Sequence, residues 1–353
     1  MATERTQPMS EPRDRIVAGW LLSCCALVFA MVVLGGVTRL TGSGLSMVDW
    51  RPVTGILPPL SDAEWADTFA AYQLSPEFRK INHAMDVNDF KGIFWLEYLH
   101  RVLGRLIGLA FFVPMLFFFW RGYIHAAAWP KYVVMFALGG LQGLLGWYMV
   151  KSGLIDNPHV SQYRLVAHLS AAFAIYAYML WIALGLLYAS GDGPSHRWLP
   201  RGIALTILIA VTIISGGFVA GLNAGHAYNT FPLMGGEWVP PGMLAFDPAW
   251  RNFFDNVVTV QFDHRVLAVT TFCLVTWFWF RSRRVGLSRR ARNATHALFA
   301  AATVQVTLGI STLVLHVPVA LAAAHQAIAL ALLTCALLVC HALSGTGHVS
   351  RQP

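Results

Sequence analysis

Eight apolar stretches divide this chain of 353 residues, and each is long enough to cross a lipid bilayer as a helix. They lie near residues 16–37, 99–120, 132–151, 164–189, 202–222, 258–280, 295–316 and 319–341. Hydrophobic residues make up 56% of the chain and charged residues only 12%, a balance that excludes a soluble domain. The sequence therefore predicts an all-α integral membrane protein with eight transmembrane helices.

The charged residues alternate between successive loops. If the N-terminus is cytoplasmic, the basic residues of the second, fourth and sixth loops lie inside, including the cluster at 281–292. Acidic residues concentrate in the first, third and fifth loops, which then lie outside. This distribution follows the positive-inside rule. It predicts a multi-pass protein of the bacterial inner membrane with both termini cytoplasmic, in contact with membrane lipid and with no nucleic acid.

The chain also repeats a four-helix unit. Residues 97–103 read Glu-Tyr-Leu-His-Arg-Val-Leu, and residues 261–267 read Gln-Phe-Asp-His-Arg-Val-Leu. Four spans return a chain to the same side, so the two units share one orientation. We predict two pseudo-symmetric four-helix bundles at 16–190 and 191–341, between cytoplasmic tails at 1–15 and 342–353. The leader at 1–15 has the composition of neither a signal peptide nor a transit peptide.

Four histidines occupy matched positions near the predicted outer ends of apolar segments. His100 and His168 belong to the first unit, and His264 and His325 belong to the second. One such histidine is more often a hydrogen-bonded interface residue, but four in repeat-matched positions favour a function. Two imidazoles from different helices at equal depth can bind one haem iron from both faces. The sequence thus predicts two haem sites, with His316 as the rival of His325.

Arginines accompany these histidines. Arg101 and Arg265 each directly follow a histidine of the repeat, and Arg105 and Arg164 lie nearby. A guanidinium group at the membrane rim suits the carboxylates of haem propionates. We therefore predict that these four arginines contact the two haems.

The two units differ at one informative position. Glu97 lies three residues before His100 and shares a helix face with it, whereas Gln261 takes the matched position before His264. A carboxylate in a membrane is costly unless it has a partner or a function. One interpretation is that Glu97 only pairs with Arg101 or Arg105. The other is that the first unit holds a reactive site, where Glu97 stabilises positive charge or moves protons.

These motifs resemble those of the haem A synthases of proteobacteria and mitochondria, over residues 16–341. The resemblance rests on Gly35–Leu45 (GGVTRLTGSGL), Phe94–Arg105 (FWLEYLHRVLGR), the Asp-His-Arg repeat at 263–265 and His325-Gln326. It implies oxidation of the C8 methyl of haem O to a formyl group, by two hydroxylations through haem I, giving haem A. Residues 38–92 contain no cysteine, so the thiol pair of Gram-positive relatives has no counterpart here.

The resemblance also assigns roles to the site residues. It implies a haem B cofactor bound by His264 and His325 in the second unit, with Arg265 beside it. The substrate haem would be bound by His100 and His168, with Arg101, Arg105 and Arg164 at its propionates and Glu97 needed for turnover. The implied partners are a haem O synthase and an electron donor, and a homo-oligomer is allowed.

Two other functions fit the same residues. One is a bis-histidine cytochrome that passes electrons between a quinol and a partner without changing either haem. The other is a transporter whose histidines relay protons. The five cysteines all lie within apolar segments, so we interpret them as apolar filler rather than as an external disulfide.

Overall fold

The computed structural model describes residues 12–48, 56–154, 158–188 and 197–344. In these ranges the chain forms eleven α-helices and no β-strand. The helices are α1 (Pro12–Leu40), α2 (Asp62–Gln73), α3 (Pro76–Lys80), α4 (Val87–Trp120), α5 (Trp129–Lys151), α6 (Gln162–Leu187), α7 (Leu199–Gly221), α8 (Asn252–Asp255), α9 (Val257–Ser282), α10 (Arg289–Val314) and α11 (Val319–Leu343).

Eight of these helices, α1, α4 to α7 and α9 to α11, are long and apolar enough to cross a membrane. The shortest, α5 and α7, have 23 residues each, which corresponds to about 35 Å of helix. A bilayer has a hydrocarbon core of roughly 30 Å. The predicted class, an all-α membrane protein with eight spans, is confirmed.

The helices extend beyond the apolar stretches that predicted them. α4 begins at Val87, twelve residues before the predicted span, because Asp86 caps it. The Asp86 carboxylate accepts hydrogen bonds from the backbone of Asn88 and Asp89, at 2.8 and 2.9 Å. Such a capping box sets where a helix starts, whereas hydropathy marks only the part that lies in lipid. α1 also covers the last four residues of the predicted tail at 1–15, and α11 covers the first two residues of the predicted tail at 342–353.

The eight long helices contact one another as two rings. α1, α4, α5 and α6 form one ring, in which α1 and α5 each pack against both α4 and α6. α7, α9, α10 and α11 repeat this arrangement, with α7 and α10 each packing against both α9 and α11. The rings meet through α1 with α11, α6 with α7, and α6 with α11. The two four-helix bundles that the sequence predicts would give this pattern of contacts. The predicted boundary between them, at residues 190–191, lies outside the described residues.

The segment between α1 and α4, predicted to be the first outer loop, carries a small folded cap. α2 packs against the outer extension of α4 around Trp65, Tyr72, Phe90 and Phe94, all of which are buried. This cap lies directly above the part of α4 that carries Glu97 and His100. The acidic residues Asp49 and Asp156, which the topology prediction uses, lie outside the described residues.

Candidate functional site

Each of the four candidate histidines packs against a glycine of a neighbouring helix. The pairs are Gly35 with His100, Gly146 with His168, Gly216 with His264, and Gly309 with His325. A Cβ atom added at Gly309 would lie 2.8 Å from the imidazole, closer than real Cβ atoms approach their neighbours, and one added at any of the other three would lie 3.0 Å away, a tight contact. Any larger residue would therefore force the imidazole to shift.

These contacts form one layer near one end of the protein. Each of the four glycines lies five residues before the last residue of its helix. At a rise of 1.5 Å per residue, that distance is about 7.5 Å from the helix end. The glycine-bearing helices α1, α5, α7 and α10 alternate along the chain with the histidine-bearing helices. All four imidazoles therefore lie at a similar depth, as the sequence predicts.

The histidines come from helices that face each other across a ring. α4 and α6 carry His100 and His168, and α9 and α11 carry His264 and His325. The imidazoles of His100 and His168 are close enough to interact electrostatically, and so are those of His264 and His325. The structure thus brings the predicted histidines together in the two predicted pairs.

The residues present suit a haem better than a bare metal ion. Among the described ranges, no three His, Cys, Asp or Glu side chains gather as a bare ion would require. The imidazoles instead come in twos, which matches the two axial positions of a haem iron.

In the second ring, hydrogen bonds determine which imidazole nitrogen is available. Ser215 Oγ donates to the Thr212 carbonyl at 2.7 Å and lies 2.8 Å from His264 Nδ1. A hydroxyl has a single proton, so a Ser215 hydroxyl that donates to this carbonyl accepts from an Nδ1–H of His264. His325 Nδ1 likewise donates to the Gln305 carbonyl at 3.2 Å. The His264 imidazole then keeps its Nε2 lone pair available for a metal. His325 Nε2 lies 3.5 Å from the Gln305 side-chain nitrogen, which would have to move aside for a metal.

In the first ring, the two imidazoles are held differently. The Gln142 side chain, which matches Gln305, donates to the His168 backbone carbonyl at 2.9 Å. The His100 ring makes no hydrogen bond within the described residues and is held by packing alone. Its Nε2 is the atom nearest a Cβ built at Gly35, at 3.0 Å, whereas the other three rings present Cε1 to their glycines. His100 thus turns its metal-binding nitrogen toward α1.

Glu97 lies at the centre of a buried hydrogen-bond network, with 3% of its surface exposed. Its Oε2 accepts from Ser46 Oγ at 2.7 Å and from the Met47 N–H at 2.8 Å. Its Oε1 accepts from Arg101 Nη2 at 2.6 Å and from Nε at 3.1 Å. Arg101 also donates to the Met47 carbonyl at 2.9 Å. The predicted ion pair with Arg101 is therefore present, and it ties the first outer loop to α4 beside His100.

The second ring repeats this network with the opposite polarity. Gln261 Nε2 donates to the Tyr228 carbonyl at 3.1 Å, and Arg265 Nη2 donates to the same oxygen at 2.7 Å. Arg265 Nη1 donates to the Thr230 carbonyl at 2.8 Å. Here loop carbonyls accept from Gln261 and Arg265, and the Gln261 side-chain oxygen is buried without a hydrogen-bond partner in the described part of the chain. In the first ring, Ser46 and the Met47 N–H instead donate to a carboxylate. The difference between Glu97 and Gln261 thus corresponds to a difference in the loops above them.

Of the four candidate arginines, Arg101 and Arg265 directly follow a histidine, whereas Arg105 and Arg164 lie five and four residues from His100 and His168. Arg101 and Arg265 are used in the loop networks, although Arg265 Nε is buried without a hydrogen-bond partner in the described part of the chain. Arg164 donates to the Tyr148 carbonyl at 2.9 Å and stacks 3.8 Å from the centre of the Tyr148 ring. Arg105 lies one turn beyond Arg101 and is partly buried. Each can therefore contribute positive charge near an imidazole pair.

A second buried carboxyl group lies in the cap above Glu97. Glu77 accepts a hydrogen bond from the Tyr72 hydroxyl at 3.0 Å, and Asn82 donates to the same hydroxyl at 2.8 Å. Burial raises the pKa of Glu77 to about 7; the hydrogen bond from Tyr72 acts against this shift, and the charge of Glu97 adds to it. Near neutral pH this carboxyl group is therefore partly protonated.

His316, the rival ligand, lies elsewhere. It is exposed in the short turn between α10 and α11, with a backbone φ of 63°. His325, in contrast, is the residue whose ring interacts with that of His264.

Sequence reasoning missed three features of the site. The glycines at 35, 146, 216 and 309 recur at matched positions of the sequence repeat, but the sequence does not show that they contact the histidines. Ser46 and Met47 give no signal that they bind Glu97, since they lie 50 residues from it along the chain. Ser215 could have been noticed because the aligned repeat places Leu34 opposite it.

Comparison with known proteins identifies the family. Residues 18–337 match the model of the cytochrome oxidase assembly protein family. The chain is 56% identical to a haem A synthase of Nitrosospira multiformis over 332 residues, 93% of each protein. It is 47% identical to haem A synthase COX15 of Homo sapiens over 338 residues, 93% of this chain and 82% of the human protein. This chain therefore belongs to the family of cytochrome oxidase assembly proteins that includes the haem A synthases.

Proposed function

We propose that this protein is a haem A synthase, which oxidises the C8 methyl of haem O to a formyl group. Two successive hydroxylations, with haem I between them, give a geminal diol that loses water to form haem A. The observation that carries this proposal is the inequality of the two imidazole pairs. One pair lies beside a buried carboxylate, Glu97, and the other lies beside an amide, Gln261. An electron relay between two equivalent haems does not need this difference.

We assign the second ring to a resident haem B. His264 and His325 would hold its iron, because their imidazoles come together in this ring and each has Nδ1 within hydrogen-bond distance of a neighbour. Arg265 would lie near its propionates. When bound there, haem B supplies the one-electron redox chemistry that side chains lack.

The first ring would then hold the substrate. His100 and His168 would bind the iron of haem O, and Arg101, Arg105 and Arg164 would place positive charge at its propionates. Glu97 lies one helical turn from His100 with both carboxylate oxygens held by donors. Its fixed negative charge can offset positive charge that develops near the substrate methyl, and it can accept a proton there.

A direct test is to express the chain in a bacterial host that makes haem O but lacks its own haem A synthase. Haems extracted from the membranes and separated by chromatography should include haem A. If haem O alone accumulates while the purified protein contains low-spin haem, the protein is an electron-transfer cytochrome. If the purified protein contains no haem, the result favours a transporter whose histidines relay protons.

We further propose that the protein lies in the bacterial inner membrane with both termini cytoplasmic. The imidazole layer would then lie toward the outer face, because α4, α6, α9 and α11 begin on that side. Single cysteines introduced at 281–293 should react with a membrane-impermeant thiol reagent only from the cytoplasmic side. Labelling from the periplasmic side would reverse the topology and the depth of both haems.

Two partners complete the proposal. A haem O synthase would deliver the substrate, and a separate protein would donate electrons. The proposal is also compatible with a homo-oligomer.

A further inference from the structure

The two rings hold their matched histidines, His100 and His264, in different ways. Gly35 and Gly216 pack against the imidazoles of these two histidines from matched positions. Leu34 and Ser215, which precede the two glycines, are therefore matched as well. Ser215 Oγ lies 2.8 Å from His264 Nδ1, whereas a leucine side chain has no hydrogen-bonding group. The two halves therefore differ in a contact to the ring itself, in addition to the difference between Glu97 and Gln261.

The contact with Ser215 sets both the tautomer and the orientation of the His264 imidazole. With its proton on the Thr212 carbonyl, 2.7 Å away, the Ser215 oxygen accepts the proton on His264 Nδ1. Nε2 is then unprotonated, and the Cε1 edge of the ring faces Gly216, at 3.0 Å from a Cβ built there. His264 is thus prepared to bind a metal before any metal arrives, which is the usual effect of a hydrogen bond to the second nitrogen of a ligating histidine.

His100 lacks this preparation. No hydrogen bond reaches its ring within the described residues, and its Nε2 edge faces Gly35 on α1. To face its glycine through Cε1, as the other three imidazoles do, the His100 imidazole must turn. Turning is feasible because the ring has no hydrogen bond to break.

We propose that Ser215 is a positioning residue that makes His264 a permanent iron ligand, and that Leu34 leaves His100 free to turn so that the first ring can exchange its haem. This inference rests on the proposed function, in which one haem stays and the other is substrate and then product. A substrate haem must enter and leave within one catalytic cycle, so a loosely held ligand is useful there. A cofactor must not leave, so a fixed ligand is useful in the second ring.

The repeat supplies matched variants for the test. The full protein, purified with its haem in detergent, is mixed with excess apomyoglobin as a haem acceptor, and transfer of haem B is followed optically. Loss of a hydrogen bond to a metal-bound histidine typically lowers metal affinity 10- to 100-fold. Ser215→Ala and Ser215→Leu should therefore release haem B about 10- to 100-fold faster than the unaltered protein. Ser215→Thr, which keeps the hydroxyl, should release it at nearly the original rate.

The reciprocal variant tests the first ring. Leu34→Ser places a hydroxyl beside His100, and we expect haem A to leave for apomyoglobin several-fold more slowly and to remain in the purified protein. Unchanged haem B release in both Ser215→Ala and Ser215→Leu, with an unchanged low-spin electron paramagnetic resonance spectrum, would overturn the role of Ser215. Unchanged haem A release in Leu34→Ser would overturn the role of Leu34.

Failure of this inference can be told apart from failure of the proposed function. Ser215→Ala removes one oxygen atom from a helix, so folding is expected to survive, and the release assay needs no haem A production. If the protein makes no haem A but Ser215→Ala still releases haem B faster, the proposed activity fails and the role of Ser215 stands. If haem A is made and Ser215→Ala has no effect on haem B, the activity stands and this inference fails.

Discussion

Replacing either His264 or His325 with alanine is expected to abolish stable binding of haem B. Each substitution leaves the iron with only one histidine of the pair that would hold it. The haem B content of the purified variant, measured as its pyridine complex, should fall to a small fraction of the normal value. The low-spin absorption spectrum should disappear with it.

Three variants serve as controls for this result. His100→Ala should keep haem B, since the first ring is assigned to the substrate. His316→Ala should also keep it, because that residue is exposed in the turn after α10. Gly309→Ala should give an intermediate loss, because the added Cβ would lie 2.8 Å from His325 Cε1 and would push the ring away from its position. Normal haem B content in both histidine variants would refute the assignment, and loss of haem B in His316→Ala alone would transfer the role to His316.

Replacing Glu97 with glutamine is expected to stop most haem A production while haem B remains bound. Glutamine is the residue of the second ring and nearly preserves the shape of glutamate. It carries no charge and cannot accept a proton as a carboxylate does, so it cannot offset positive charge near the substrate methyl. The loss of a group with a general acid–base role typically costs roughly a hundredfold or more in rate. Extracted haems should show haem O or the hydroxylated intermediate in place of haem A.

A second explanation for such a loss must be tested in the same experiment. The Glu97 carboxylate also holds the first outer loop through Ser46 and Met47, and a glutamine NH₂ group would face two donors there. Ser46→Ala removes one loop contact and leaves the carboxylate in place, so it should retain most of the activity if charge is what matters. Gln261→Glu should alter the haem B spectrum without creating activity in the second ring. Normal haem A production in Glu97→Gln would show that the carboxylate is only the partner of Arg101.

The sequence by itself was enough to predict the class of the protein and the location of its chemistry. Length and apolarity of a stretch decide whether it can cross a bilayer, and both are local properties of the chain, so all eight spans could be recognised. The repeat then placed the four histidines at equal depths, since two copies of one unit put matched residues at matched heights. The pairing of His100 with His168 and of His264 with His325 followed from the same reasoning.

Only the tertiary structure decided how each imidazole is held. The contacts of Gly35 with His100 and of Gly216 with His264 depend on the distance between two helix backbones, which no pattern along one helix records. The network of Glu97 joins residues 50 positions apart, and its loop donors are ordinary backbone and hydroxyl groups without a sequence signature. The direction of the His100 ring and the proton on His264 Nδ1 likewise depend on neighbours brought in by folding. Local physics thus determines where the chain crosses the membrane, whereas the packing of its helices determines which edge of each imidazole faces the neighbouring helix and which imidazole has a hydrogen-bond partner.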